Sequence, residues 1–304
     1  MHAVIGTGPA GLALVDELRA RGREVVALNR AGEAAVPEGV EVRAADVTDV
    51  AAMRALGREA EVVYNCAHAP YHQWDELLPR MQEGFLAAGE NARLVVTDTL
   101  YMYGPTGGRP MTEQTPHAAT TRKGRIRAAI AARYLDAHDA GVAEVAIARA
   151  ADFYGPRVTN SALGAAVFLP VLHGQPAFAL GDIDLPHAYS HIEDVARTLA
   201  TLGDQERALG RAWHVPTVSE FSTRQVHALI ADLVGHPVEA NVLPGPTTQA
   251  WGPFDAGFMS EYAELFYQYL EPQVVDCTAV AEAFDLTPVP FVDGLKQTLD
   301  WYRA

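Results

Sequence analysis

Three glycines near the start of the chain, in Val4-Ile5-Gly6-Thr7-Gly8-Pro9-Ala10-Gly11, restrict what it can fold into more than any other stretch. Ala3-Val4-Ile5 before them reads as a short buried strand, and Leu12-Ala13-Leu14-Val15-Asp16-Glu17-Leu18 after them opens an amphipathic helix. A strand, a tight glycine turn and a helix in that order suit a parallel α/β sheet. Each glycine has its own task. One makes the turn, one lets a pyrophosphate approach the backbone, and one lets the helix lie close to the strand. The helix start adds unpaired N–H groups and the positive end of its dipole. Gly6, Thr7, Gly8, Pro9, Ala10 and Gly11 are therefore expected to hold the phosphates of a dinucleotide.

The residues that follow keep alternating strand and helix. Strands are expected over 24–28, 40–44, 61–67, 93–97 and 144–148, with helices through Met53 and Leu56, over 71–89 and over 123–140. Short alternation of this kind predicts a doubly wound, Rossmann-type parallel sheet. Ligands in such sheets bind beyond the carboxyl ends of the strands. That rule selects Asn29, Arg30, Asp46, Val47, Cys66, Ala67, His68 and Thr97 as further cofactor contacts. An acid about 20 residues after the glycine turn would bind the ribose of NAD. Asn29 stands there instead, and Arg30 beside it can pair with a 2′-phosphate, so NADP is the expected cofactor and NAD the alternative. Asp46 is open to two readings, a turn residue or an acceptor for an adenine amino group.

Charge narrows the partners. A formal net charge of -15 with no basic run argues against a nucleic-acid binder. No apolar stretch approaches the length of a membrane helix and no signal segment precedes the first strand, so a cytoplasmic protein without a membrane partner is expected. Cys66 and Cys277 lack metal-ligand spacing, and no metal site is expected.

Four later stretches carry a family resemblance. Thr97-Asp98-Thr99-Leu100-Tyr101-Met102-Tyr103-Gly104 resembles a Ser-Ser-x-x-Val-Tyr-Gly segment, and Arg149-Ala150-Ala151-Asp152-Phe153-Tyr154-Gly155-Pro156 resembles Arg-x-x-Asn-x-Tyr-Gly-Pro. His191-Ile192-Glu193-Asp194-Val195-Ala196 resembles Val-His-Val-Asp-Asp-Val-Ala, and the stretch from Asp276-Cys277-Thr278 to Tyr302 resembles the closing segment of the same family. Together with the glycine turn, they make the chain resemble the extended short-chain dehydrogenase/reductases, the NAD-dependent epimerase/dehydratase group, over essentially its whole length.

The resemblance implies a proton-transferring tyrosine, a lysine four residues later and a Ser or Thr that orients the substrate oxygen. Thr99 matches the Ser/Thr. At the tyrosine position stands Lys123, and at the lysine position Arg127. Either Lys123, its pKa lowered by repulsion from Arg127, or Tyr101 then supplies the proton, while Arg127 holds the ribose. The bland alternative makes Lys123 and Arg127 snorkelling cations at a helix start. Lys123 and Phe153 are further cofactor contacts on the same resemblance, and the alanine-rich outer side of the 123–140 helix is compatible with a homodimer.

Residues 1–154, with 190–216 returning to them, are expected to form the dinucleotide-binding domain, and 155–304 mainly a substrate-binding portion. Its pocket candidates are aromatic or uncharged: Phe153, Phe168, His187, Tyr189, Trp251, Phe254 and Phe258. His187-Ala188-Tyr189 replaces the Arg-Asp-Phe of sugar-nucleotide relatives, which favours a smaller or more apolar carbonyl substrate. The leading expectation is an NADP-dependent oxidoreductase acting on a small carbonyl compound. Two alternatives stay open: a nucleotide-sugar-type epimerase or dehydratase with bound NAD(P), and a non-catalytic NADP(H)-binding sensor or interaction protein.

Overall fold

Strands buried along their whole length need cover on both faces, and runs such as Val145-Ala146-Ile147-Ala148 provide for it. In the computed structural model, which describes residues 1–304, the chain divides into two compact units. Unit 1 comprises residues 1–99, 126–149 and 195–213, and unit 2 comprises residues 100–125, 150–194 and 214–304.

Chain order begins with β1 (His2–Ile5), α1 (Pro9–Ala20), β2 (Val25–Asn29), β3 (Glu41–Ala44), α2 (Val50–Glu59) and β4 (Val62–Asn65). It continues with α3 (Trp74–Gly89), β5 (Arg93–Asp98), α4 (Arg122–Asp139), β6 (Val145–Arg149), β7 (Asp152–Tyr154), α5 (Ala165–Leu172), β8 (Ala177–Leu180) and β9 (Tyr189–His191). Then come α6 (Ile192–Asp204), β10 (Arg211–His214), α7 (Thr223–Val234), β11 (Ala240–Leu243), α8 (Ala256–Tyr262), α9 (Thr278–Phe284) and α10 (Phe291–Arg303).

Unit 1 is a doubly wound sheet in the order β10-β6-β5-β4-β1-β2-β3. Its register brings strand ends level, with Ile5 beside both Leu28 and Asn65, and Asp98 beside Arg149. The glycine turn, Asn29, Asn65 and Asp98 therefore share one edge of the sheet. Strand β4 is shorter than the expected 61–67, because the Asn65 side chain accepts the N–H of Ala67 and turns the chain out of the ladder. The helix expected from residue 71 begins as a 3-10 turn, Tyr71–Gln73, before α3.

Unit 2 holds two small parallel pairs, β7 with β9 and β8 with β11. Helices α5, α7 and α10 bury Phe168, Val226, Ile230, Leu295 and Leu299 in one core with Tyr154 and Tyr189. Phe168 and Tyr189 are thus core residues and not the pocket residues expected from the sequence; each is an aromatic large enough to fill the space between elements. The expected boundary near Tyr154 also gives way to a division that takes residues 100–125 into unit 2. Met111 bridges to Val275, the Tyr103 hydroxyl meets Nε2 of His214 at 2.8 Å, and Glu113 accepts the N–H of His214.

Candidate functional site

At the edge of unit 1, the three glycines of the turn differ in what surrounds them. Gly6 has φ +102°, and a Cβ there would lie 2.5 Å from the Cys66 carbonyl oxygen. One on Gly11 would lie 1.8 Å from the Gly6 oxygen, so α1 packs against the turn only because both residues are glycine. A Cβ on Gly8 would meet nothing within 4 Å. Gly8 is the N-cap of α1, Pro9 follows at the first helical position, no side chain caps the N-terminus, and no acid lies in the first turn. The backbone there faces open space with its donors uncapped, which suits an anion.

Side chains from the neighbouring strand ends frame this turn. The Asn29 carboxamide donates to Thr7 Oγ1 at 2.7 Å and to the Glu33 carbonyl at 2.8 Å, and accepts the N–H of Gly32. It is occupied in shaping the turn, whereas Arg30 is exposed. Asp46 accepts both the N–H and the hydroxyl of Thr48, an arrangement that makes it a turn residue and lowers its pKa. Val47 is half-buried, and its carbonyl lies against α3, where a Cβ on Gly84 would meet it at 1.8 Å. Burial pushes the Cys66 thiol up to about 12 against a weak bond from Thr97, so it stays protonated and unreactive near neutral pH.

Arg127 lies in the same unit. Its guanidinium stands 4.3 Å over the Trp74 ring, and its Nη1 is 3.7 Å from Oδ1 of Asp98. Arg149 approaches the other Asp98 oxygen at 3.5 Å. These separations exceed hydrogen-bond length, and Arg127 Nε has no hydrogen-bond partner. His68 sets its ring edge-on to Tyr71 and Trp74, close to this guanidinium. Thr99 is half-buried just past β5, at the end of the first segment of unit 1.

Unit 2 contains Lys123, and its surroundings are the reverse. The side chain is 0% exposed and its Nζ pairs with Oε2 of Glu261 and, at 2.9 Å, with Oε1 of Glu264. Glu264 also accepts the Lys123 N–H at 3.1 Å, capping the start of α4, and Arg122 donates to Glu261 at 2.6 Å. A cation at a helix N-terminus opposes the dipole, and two carboxylates at that end offset it. Their hydrogen bonds and charges hold the Glu261 pKa below the ordinary value, chiefly through Lys123. The snorkelling alternative is therefore ruled out, and the neighbours that dominate Lys123 are anions, where the sequence had suggested a repelling arginine.

Tyr101 is buried, with its carbonyl facing the Tyr267 hydroxyl at 3.5 Å, while the Tyr103 ring packs edge-on to His117 and His214. Phe153 is half-buried, and its carbonyl accepts the Ser161 hydroxyl. Further along, β7 pairs Asp152 with Tyr189 of β9 and so brings Asp152 to His187. Asp152 Oδ2 accepts from His187 Nε2 at 2.9 Å and from the Tyr269 hydroxyl at 3.0 Å.

The sequence model of the NAD dependent epimerase/dehydratase family matches residues 4–215, from the glycine turn through the sheet just described. The chain belongs to the NAD-dependent epimerase/dehydratase family. Solved structures share the fold. A UDP-glucuronic acid 4-epimerase from Bacillus cereus in complex with NAD has a TM-score of 0.79 at 16% identity, covering 100% of this chain and 96% of that one. A UDP-glucose 4-epimerase from Thermus thermophilus, also with NAD, has a TM-score of 0.74 at 23% identity, covering 100% and 99%. A dTDP-glucose 4,6-dehydratase from Bacillus anthracis in complex with NAD has a TM-score of 0.73 at 15% identity, covering 100% and 96%. No curated protein matches in sequence.

The sequence alone does not reveal the partners of Lys123 or the group around Asp152. Glu261 and Glu264, three residues apart, share a helical face, and that spacing was the one available signal. Nothing local in the sequence links Asp152 to His187 and Tyr269.

Proposed function

We propose that the chain is an enzyme of the epimerase/dehydratase type that retains a nicotinamide dinucleotide on unit 1 and acts on a hydroxyl- or carbonyl-bearing compound. The observation that carries this reading is the glycine turn, closed at Gly6 and Gly11 and open at Gly8. The residues fit the group: uncapped N–H donors of α1 would hold the pyrophosphate, and Arg127 would hold ribose hydroxyls. When bound, the nicotinamide supplies a place for a hydride to be stored and returned. Thr99 would orient the substrate oxygen, as the family pattern implies.

Support for NAD over NADP comes from the three solved relatives, each in complex with NAD. Exposed Arg30 is the one feature that favours NADP. Those relatives also support a nucleotide sugar as substrate. Against this, Arg122 and Lys123 of unit 2 are each paired with a carboxylate, which weighs toward a less anionic compound. A second reading, a dinucleotide-binding protein without hydride chemistry, is favoured by the carboxylates that enclose Lys123.

The test is to identify nucleotide released from the purified protein, then to titrate the stripped protein with NADH and NADPH, comparing wild type with Arg30→Ala. We expect NAD to be released and NADH binding to be unchanged by Arg30→Ala. Selective NADPH binding that Arg30→Ala abolishes would reverse the cofactor preference. Binding of neither would overturn the reading, and retained NAD that no sugar nucleotide or carbonyl compound reduces or oxidises would favour the second.

A further inference from the structure

Asp98 closes β5 in unit 1, and the strand register sets it beside Arg149. Its side chain is 3% exposed and lies 3.7 Å from Arg127 and 3.5 Å from Arg149, and neither carboxylate oxygen has a hydrogen-bond partner. A carboxylate so deeply buried is tolerated only beside opposite charge. Arg127 is also held by Trp74, whose ring is fully buried and tied by a 2.8 Å indole N–H bond to the Ala69 carbonyl. His68 near this guanidinium is pushed down to about 4, chiefly by burial, so it is neutral and adds no charge. Asp98, Arg127, Asn65, Thr97 and Tyr134 border a cavity of about 20 Å³. That is room for a water and nothing larger, so Asp98 can act on a ligand only through Arg127.

The sheet order relates Arg127 to one half of a dinucleotide. The glycine turn follows β1, with β2 and β3 on one side of that strand and β4 and β5 on the other. The residue that reads the adenosine ribose belongs to the end of β2. The nicotinamide half therefore falls on the side of β4 and β5, where Asp98 ends a strand two spacings, about 10 Å, from β1. We propose that Asp98 is the positioning residue for Arg127, holding its guanidinium over Trp74 to meet the ribose of the nicotinamide half, and that Asp98 and Arg127 are one paired departure from the serine and lysine of the family pattern. This rests on the dinucleotide reading above. A guanidinium has five N–H donors in a plane, so it can stack on Trp74, face Asp98 and still present donors to a hydroxyl. The compact ammonium of a lysine at position 127 would be drawn onto the Asp98 carboxylate. A serine at position 98 would leave Arg127 and Arg149 facing each other with no carboxylate between them. Each exchange is therefore sound only with the other.

The experiment has two arms. In the first, with isotope-labelled tryptophan and no nucleotide, the indole N–H resonances of the four tryptophans are recorded, and that of Trp74 is assigned with Trp74→Phe. Asp98→Ser is expected to move the Trp74 resonance in the direction that Arg127→Met moves it, because both take the guanidinium off the ring. A Trp74 resonance unmoved in Asp98→Ser overturns the proposal. In the second arm, NADH and ADP are titrated into the nucleotide-free protein; ADP carries only the adenosine and pyrophosphate and does not reach Arg127. Asp98→Ser and Arg127→Lys should each weaken NADH binding by about tenfold and leave ADP binding within about threefold. Equal losses of NADH and ADP would mark a structural disturbance and sink the proposal, as would NADH binding within about threefold of wild type in Asp98→Ser. Independent effects would multiply to about a hundredfold loss in the double variant Asp98→Ser/Arg127→Lys, whereas a paired departure predicts about tenfold or less. A loss near the product overturns the pairing. If Trp74 responds as expected but the wild type binds no NADH, the positioning of Arg127 stands and the dinucleotide reading fails.

Discussion

Lys123 and Arg127 stand one turn apart on α4, yet they belong to different units and have opposite surroundings. Lys123 is fully buried, with carboxylates at bonding distance and a third charged neighbour, Arg122, on the same acids. Arg127 has one carboxylate beyond hydrogen-bond length, an aromatic ring beneath it and an Nε with no bond at all. By the family resemblance, both stand where the pattern has residues used for chemistry. Their settings show that the two replacements are not equivalent: one cation is enclosed by carboxylates at bonding distance, and the other leaves its Nε without a hydrogen-bond partner.

The strongest way to break this contrast is to remove Lys123. Lys123→Met leaves Glu261 and Glu264 close together, with only Arg122 and the helix N-terminus to balance them. We expect a loss of about 3 kcal/mol in denaturant unfolding, at the lower end for a broken buried pair because Arg122 remains. Arg127→Met should cost less, roughly 1 kcal/mol, since Asp98 keeps Arg149. Equal losses in the two variants would erase the distinction drawn between them.

The glycines sharpen the same point from the side of unit 1. Gly11→Ala forces a Cβ into the Gly6 carbonyl and should destabilise by about 2 kcal/mol or more, seen as a lower thermal midpoint. Gly8→Ala should leave that midpoint nearly unchanged while weakening NADH binding in the fluorescence titration. If both variants bind NADH like wild type, the turn is not the phosphate site. Arg127→Met should weaken NADH binding by about tenfold, worth about 1.4 kcal/mol, whereas Lys123→Gln should leave it within about threefold.

The smallest expected effect is on acid stability. The folded pKa of Glu261 is depressed below its ordinary 4.5, so its contribution is present above that value and is lost as pH falls through the folded pKa. Since its side chain is 25% exposed, the effect should stay below about 1 kcal/mol. Unfolding midpoints followed from pH 6 to pH 3 should fall less steeply in Glu261→Gln than in wild type. Parallel curves would show that the Lys123 pairing contributes no acid sensitivity.

Much of unit 1 was legible in the sequence because its signals are local. Gly6, Gly8 and Gly11 announce a turn by their spacing, and apolar runs separated by helical periodicity announce a parallel sheet. The absence of the expected Tyr and Lys was equally plain from the segment around Lys123. The readings that failed or stayed open depended on residues far away in the chain. Phe168 and Tyr189 looked like pocket aromatics, because an aromatic in a loop-rich stretch carries no mark of which side it faces.

The sequence by itself determined the doubly wound sheet, the dinucleotide turn and the identity of the residues at the altered positions. Each of these follows from neighbours a few residues apart, where backbone geometry and period fix the outcome. Tertiary structure alone decided what Lys123 and Arg127 touch, that Asn29 braces the turn, and that Asp152 meets His187 and Tyr269. Charge and hydrogen bonding act over a few ångströms of space regardless of separation along the chain. Only the folded molecule brings Glu261 to Lys123 and Tyr269 to Asp152.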